Sequence, residues 1–223
     1  NKGTNDNTFR EHESKTVSIE FWRLVFCFAV VVYHSCYLTP SRSFTTIFQG
    51  GYIGVEFFFI VSGFLMAKNL FTDICDIHIS ILKKTFIFIS HKIKLIYPCF
   101  LWAFLIAFIV RAVISGSNLA QILHNIISSI LELLLLRMSG ITGYWVNTPT
   151  WYISAMVIVM LIFYPLLQKI DEKLISPFSF IISIGAYLWL YYSLGTLENP
   201  YKWQQFCYSG LIRGVGGIML GAA

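Results

Sequence analysis

Long apolar segments recur along the chain and leave few folds open to it. A helix needs about 20 mainly apolar residues to cross the hydrocarbon core of a bilayer. Six segments come close to that length: residues 17–38, 52–70, 95–114, 150–167, 177–194 and 209–223. The sequence is only 12% charged, whereas about a quarter of the residues in a soluble domain are charged. The pattern predicts an all-α, polytopic transmembrane helical bundle and excludes a soluble enzyme.

The basic residues predict how this bundle is oriented. With the N-terminus inside, ten Lys and Arg residues lie on the cytoplasmic side and three (Arg42, Arg137 and Lys202) lie outside. Since cytoplasmic loops carry the excess of positive charge, we expect a multi-pass protein of the cell membrane with residues 1–16 as a cytoplasmic tail. The same asymmetry accounts for the net charge of +5, so membrane lipids are the expected partner and nucleic acid is not.

Two segments leave alternatives open. Residues 119–137 approach the length of a span, but they are interrupted by five polar residues: His124, Asn125, Ser128, Ser129 and Glu132. We favour an amphipathic helix at the outer interface over a further span, which would invert the orientation downstream. Segment 209–223 is short for a span, which favours the N-terminal part of a longer protein over a chain that ends within the membrane.

The first span carries three ionisable side chains, which are costly within a bilayer and therefore candidates for function. Glu20 and Arg23 are three residues apart and can pair. Arg23 and His34 are eleven apart, which places them on one face of a helix, about 16 Å apart along its axis. The ordinary alternative is that His34 is an interfacial residue near a helix end.

The second span begins near the outer side and carries Glu56 a few residues inside it. We expect Glu56 to share the depth of His34, so that the carboxylate fixes and activates the imidazole as a general base. A Glu in this position could also simply reach the interface.

Small residues and lysines each have two interpretations. Close helix packing is the default for Gly51, Gly54 and Gly63, and for the pair Gly217 and Gly221, although such residues could leave room for a bound chain. The lysines of 68–94 can anchor a helix at anionic headgroups or hold the phosphates of an anionic donor. The five scattered cysteines form no CxxC or Cys/His spacing, so we predict no metal site.

Several motifs resemble the acyltransferase-3 family of integral membrane acyltransferases. GVEFFFIVSGFLM is similar to the second-span signature of that family, and FWRLVFCFAVVVYHS to its first-span Arg and His motif. Three further stretches resemble elements of the family. KIKLIYP is similar to its basic stretch before the third span, TWYISAMVIVMLIFYPLL to a Trp-led span, and IRGVGGIMLG to a later Arg–Gly element. The resemblance runs in order from residue 17 to the end of the chain. Members of the family usually have about ten spans, whereas six are predicted here.

The resemblance implies an O-acyltransferase that moves an acyl group, chiefly acetyl, from acyl coenzyme A (acetyl-CoA) to a hydroxyl of a cell-surface carbohydrate or glycolipid. It implies no tightly bound cofactor. His34, Glu56 and Arg23 become the catalytic candidates. Lys92 and Lys94, with Arg23, become candidates for binding the donor, and Trp151, Glu20 and Arg213 for contacting substrate.

Besides the smaller number of spans, the sequence departs from the family pattern in two motifs. Lys92 and Lys94 follow His91 where many members carry paired arginines, and lysine lacks the bidentate fork of arginine. Met156 stands where many carry a Glu. Two other functions stay open: a transporter or lipid-linked sugar flippase, against which the absence of an internal repeat counts, and a non-catalytic truncated relative.

Overall fold

The computed structural model describes residues 3–35, 49–72, 79–141 and 144–223, and helices dominate these ranges. The helices are α1 (Gly3–Ser35), α2 (Gly54–Thr72), α3 (Ile81–Ile114), α4 (Leu119–Ser128), α5 (Ile130–Leu133), α6 (Trp151–Leu167), α7 (Glu172–Leu194) and α8 (Ser209–Ala222). Short 3₁₀ helices, Gln49–Ile53 and Thr148–Thr150, precede α2 and α6, and an antiparallel pair, β1 (Trp203–Gln204) and β2 (Cys207–Tyr208), precedes α8. The predicted all-α class is confirmed.

Five helices in the described part of the chain are long and apolar enough to cross a bilayer, at 17–35, 50–72, 81–114, 148–167 and 172–194. They correspond to five of the six predicted spans. The sixth predicted segment forms α8, a helix of 14 residues that is about 21 Å long and shorter than a hydrocarbon core of about 30 Å. Residues 36–38 of the first predicted span, and Arg42 of the charge count, lie outside the described residues.

Helix α3 differs from the prediction because it begins at Ile81 and not near residue 95. Its 34 residues extend over about 51 Å, more than a bilayer core requires. Ser80 caps the N-terminus by accepting a hydrogen bond from the backbone N–H of Lys83 at 3.4 Å. The lysines between residues 83 and 94, expected in a loop, therefore lie on a helix that continues directly into the span.

The segment 119–137 forms two short helices, and none of it is among the five spans. Helix α4 has ten residues, about 15 Å, and the fully buried Ser129 separates it from α5. One face of α4 is apolar and exposed, formed by Leu119, Leu123, Ile126 and Ile127. The opposite face carries Gln121, His124, Asn125 and Ser128. The amphipathic helix is confirmed, and its place at the membrane surface stays a prediction.

The chain forms two compact units, one up to Phe58 and the other from Phe59. In the first unit, the end of α1 packs against the 3₁₀ helix Gln49–Ile53 and the first turn of α2. Phe57 stacks on Phe26 with ring centroids 4.4 Å apart. A Cβ at Gly51 would stand 2.6 Å from the Cβ of Tyr33, so glycine at this position permits the close approach.

The second unit is built around α6 and α8, with the rest of α2, α3 and α7 packed on them. Tyr164 of α6 stacks on Phe88 of α3 at 4.3 Å and donates its hydroxyl to Asn69 Oδ1 of α2 at 2.7 Å. Gly63 of α2 and Gly221 of α8 let the two helix backbones meet, since a Cβ at either would stand 1.9 Å from a carbonyl oxygen of the other helix. The predicted packing role of these glycines is confirmed.

Candidate active site

Helix α1 carries the first group of candidate residues on one continuous stripe. Arg23 donates to Glu20 Oε1 at 2.5 Å, and their side chains are 34% and 59% exposed. The predicted pairing is confirmed. Because α1 runs unbroken from Gly3 to Ser35, Arg23 and His34 share a face about 16 Å apart along the axis, as the spacing predicts.

His34 lies in the last turn of α1 and is half-buried. Its ring meets the Tyr33 ring in a T-shaped arrangement, with centroids 5.2 Å apart and planes at 72°. Tyr33 in turn contacts Tyr52 at 6.0 Å. Two tyrosine rings thus lie near the end of α1 that carries the candidate base.

The contacts between α1 and α2 determine the depth of Glu56. Phe57 stacks on Phe26, and a Cβ at Gly54 would meet Val30 at 2.9 Å. These antiparallel contacts place Glu56 level with Phe26, so it lies about 12 Å along the axis from His34. Glu56 is 8% exposed.

The expected pairing of Glu56 with His34 therefore needs correction. Gly54 and Phe57 face α1, and at 100° per residue Glu56 lies about 200° from the first and 100° from the second. Its side chain is thus on a side of α2 turned away from α1. The 3₁₀ helix Gln49–Ile53 is the physical reason, because it moves the start of α2 along α1 relative to a register counted from span ends. In depth, Glu56 is closer to Arg23 than to His34.

Trp151 and Arg213 are brought together in the second unit. The Arg213 guanidinium lies over the Trp151 ring at 5.4 Å, and the other contacts of that ring include Phe59 at 6.0 Å. Arg213 also donates to the carbonyl oxygen of Leu197 at 2.7 Å. The two side chains are 6% and 2% exposed, so their observed contacts are those of a packed core. Substrate contact by Trp151, Arg213 and Glu20 stays a prediction.

The two donor-binding candidates lie on the part of α3 that precedes the predicted span 95–114. Lys92 places its Nζ 5.8 Å from the centre of the Phe88 ring, and Lys94 is exposed one half-turn further on. Because both lysines lie on the helix that continues into the span, their positive charges are held at a fixed distance from it.

A buried ionic network in the second unit was missed by sequence reasoning. Glu132 accepts hydrogen bonds from the backbone N–H groups of Val146 at 2.6 Å and Asn147 at 3.0 Å, and from the Thr150 hydroxyl at 2.8 Å. Arg137 lies 3.6 Å from the same carboxylate, and both side chains are at most 6% exposed. The network ties α5 to the start of α6.

Aromatic rings complete the environment of Arg137. Its guanidinium lies 4.9 Å from the centre of the Tyr201 ring and 5.4 Å from that of Trp145. Burial lowers the pKa of Arg137, and Tyr201 and Glu132 act in the opposite direction. Burial raises the pKa of Tyr201 to about 12. The signal for this network was present in the sequence, since Glu132 and Arg137 interrupt the apolar run LELLLLR.

These features define a polytopic membrane protein that holds ionisable side chains within its helical spans. The model of the acyltransferase domain family matches residues 16–222. The chain belongs to this family, acyltransferase-3, and the protein is a membrane acyltransferase, as the sequence motifs predicted. No curated protein and no solved structure matches the chain.

Proposed function

We propose that the protein transfers an acetyl group from cytoplasmic acetyl-CoA to a hydroxyl of a cell-surface carbohydrate or glycolipid. Family membership supplies the acyl transfer, and the proposal adds the donor, the acceptor and the residues. The observation that carries it is the unbroken helix α1, which aligns Arg23 and His34 on one stripe about 16 Å apart. The long pantetheine arm of the donor can extend along such a stripe from a cytoplasmic binding site to the outer side.

In the proposed reaction, His34 acts as the general base. Its imidazole takes the proton of the acceptor hydroxyl, and the oxygen attacks the thioester carbonyl carbon. The tetrahedral intermediate collapses as the C–S bond breaks, and the coenzyme A thiolate takes the proton back from the imidazolium. One ester and one free thiol form for each thioester consumed. The half-buried position of His34 next to Tyr33 leaves the ring accessible to a substrate.

Cationic side chains hold the donor in this proposal. Arg23 stabilises negative charge on the donor at the inner end of the stripe, and Lys92 and Lys94 bind its phosphates on the extension of α3. This arrangement requires the N-terminus and the extension of α3 to be on the cytoplasmic side of the cell membrane, as the charge count predicts. Coenzyme A is a substrate here, and the proposal includes no tightly bound cofactor.

Glu56 enters the proposal as a buried carboxylate between the depths of Arg23 and His34, and not as a hydrogen-bond partner of the imidazole. A carboxylate buried in a span is costly and is by default a candidate for function. Because its side chain is turned away from the α1 stripe, we propose that Glu56 acts through the packing of α2 on α1 and not by contact with the donor arm, so that Glu56→Gln lowers turnover without changing the pH dependence that His34 imposes.

The test is acyl transfer by the full-length protein in sealed vesicles, with labelled acetyl-CoA on one side and surface glycan on the other. General-base catalysis contributes about 10²–10⁴-fold, so His34→Ala should lose turnover by that factor. Arg23→Ala should raise the KM for acetyl-CoA. Ser35→Ala is the matched control, since Ser35 is the exposed neighbour of His34, and it should retain activity. Full transfer by His34→Ala would overturn the assignment.

A further inference from the structure

An open cavity of about 520 Å³ lies in the second unit, where α3 ends and α4 begins. The side chains that the argument uses are those of Ser115, Ser117, Gln121, His124, Asn125 and Tyr144. The volume falls within the range of about 300–1,000 Å³ that is usual for small-molecule sites. None of these residues is part of the stripe on α1 or of the network around Glu132.

Local hydrogen bonds hold the polar walls of the cavity in place. Asn118 and Gln121 form a capping box in which each amide oxygen accepts a backbone N–H of the other residue, both at 2.9 Å. Since the box uses the amide oxygens, the amide nitrogens remain as donors. The hydroxyls of Ser115 and Ser117 lie 2.8 Å apart. A site with walls fixed before binding loses less entropy when a ligand arrives.

The far wall is fixed by the end of α3. The backbone N–H of Tyr144 donates to the carbonyl oxygen of Ser128 at 3.1 Å. The Arg111 guanidinium lies 5.9 Å from the centre of the Tyr144 ring and donates to the carbonyl oxygen of Trp145 at 2.7 Å. The Tyr144 side chain thus stays in the lining of the cavity together with the polar face of α4.

The chemistry of the lining selects a class of ligand. The lining consists of hydroxyls, carboxamides, an imidazole and a phenol, and no Lys, Arg, Asp or Glu of the described chain is among these lining residues. Such groups donate and accept hydrogen bonds without a net charge. The lining itself thus offers a phosphate or a carboxylate no permanent cation, and the nearby Arg111 guanidinium is engaged with the Tyr144 ring and the Trp145 carbonyl oxygen. The hydroxyls of a neutral sugar would find both donors and acceptors among the lining groups.

From this geometry we infer that the cavity binds the neutral sugar of the acceptor, an inference that rests on the proposed function. The polar face of α4 lines the cavity, and the opposite face presents the apolar side chains Leu119, Leu123 and Ile127. A helix with this division is predicted to lie along a membrane surface, and in that position the cavity would open to the side from which a lipid-anchored or surface glycan approaches.

The experiment measures the KM for glycan purified from the source cells, with full-length protein in proteoliposomes and labelled acetyl-CoA in excess. Asn125→Leu keeps the size of the side chain and removes its hydrogen bonds, and each lost bond is worth about 0.5–1.5 kcal/mol. We expect the KM for glycan to rise roughly 2- to 10-fold, with the KM for acetyl-CoA unchanged. Asn199→Leu, the same change at an exposed residue, should alter neither value.

Tyr144→Phe provides a second variant, since it removes only a hydroxyl and keeps the ring over Arg111. It should also raise the KM for glycan, so the inference can be judged even if Asn125→Leu fails to fold. Unchanged KM values for glycan in folded variants, with an active wild type, would overturn the cavity assignment and leave the proposed function intact. A wild type that labels no glycan would overturn the proposed function, and the acceptor site with it.

Discussion

Alanine at Gly63 tests the closest approach of two helices in the second unit. A Cβ at Gly63 would stand 1.9 Å from the carbonyl oxygen of Ile218, and one at Gly221 would stand 1.9 Å from that of Ile60. Real Cβ contacts under 3.0 Å are essentially never seen. Because the obstructing atoms are backbone, α2 and α8 would have to separate by about 1 Å, since no side chain can turn aside.

This separation sets the size of the effect. Overpacking a core costs about 1–3 kcal/mol, and occasionally more, and moving α8 also loosens contacts of the fully buried Phe59 and Ile218. We expect Gly63→Ala to destabilise the protein by about 3 kcal/mol. For a chain of this size, that is a fall in Tm of roughly 6–12 °C.

Gly185 in α7 is the matched control, since a Cβ there would meet no atom within 4 Å. In a helix interior, alanine is more favourable than glycine by up to about 1 kcal/mol. We therefore expect Gly185→Ala to raise the Tm slightly. The assay is thermal unfolding in lipid nanodiscs followed by tryptophan fluorescence. Once the first alanine has separated the helices, the second should cost less. In the double variant Gly63→Ala/Gly221→Ala, we therefore expect Gly221→Ala to destabilise the protein less than it does as a single substitution. A Gly63→Ala protein that melts at or above the wild-type Tm would refute the packing.

The remaining predictions concern the buried network. Glu132→Gln leaves the buried Arg137 guanidinium without a counter-charge, so we expect the free energy of unfolding to fall by about 3–5 kcal/mol in the same assay. The exposed control Glu198→Gln should cause no change. Equal Tm values for the two variants would contradict this prediction. Tyr201 donates to the Thr148 carbonyl oxygen at 2.6 Å, so Tyr201→Phe should lower the Tm at neutral pH. Because the folded pKa of Tyr201 is about 12, above the ordinary value of 10.0, its stabilisation is complete below pH 10 and disappears as the pH rises towards 12. The difference between wild type and Tyr201→Phe should shrink over that range, and a constant difference would argue against the raised pKa.

The features that sequence could predict are those that depend on local periodicity and on charge. Apolar stretches with few charged residues marked the positions of the spans, because an ionisable group in a bilayer is costly at any position. The shared face of Arg23 and His34 needed only the 100° turn per residue of one unbroken helix. The role of Gly63 in packing followed from its small size within a span.

The features that sequence missed depend on register and on distant partners. Hydropathy placed the start of the third span near residue 95, because the lysines of 83–94 lower the average, although the helix already begins after the Ser80 cap. The depth of Glu56 depends on the 3₁₀ helix before α2, which no hydropathy average detects. The partners of Glu132 lie 14 to 18 residues further along the chain, beyond a loop whose course only tertiary packing determines.

The central claim is that this membrane protein forms an ester at the expense of a thioester, with His34 as the base. The most direct measurement counts free coenzyme A thiol and acetylated glycan in the same vesicles containing full-length protein. We predict that one thiol appears for each acetyl group transferred, and that His34→Ala lowers both by about 10²–10⁴-fold while Ser35→Ala preserves both. Glycan that crosses the membrane unmodified, with no thiol released, would contradict the claim and indicate a transporter.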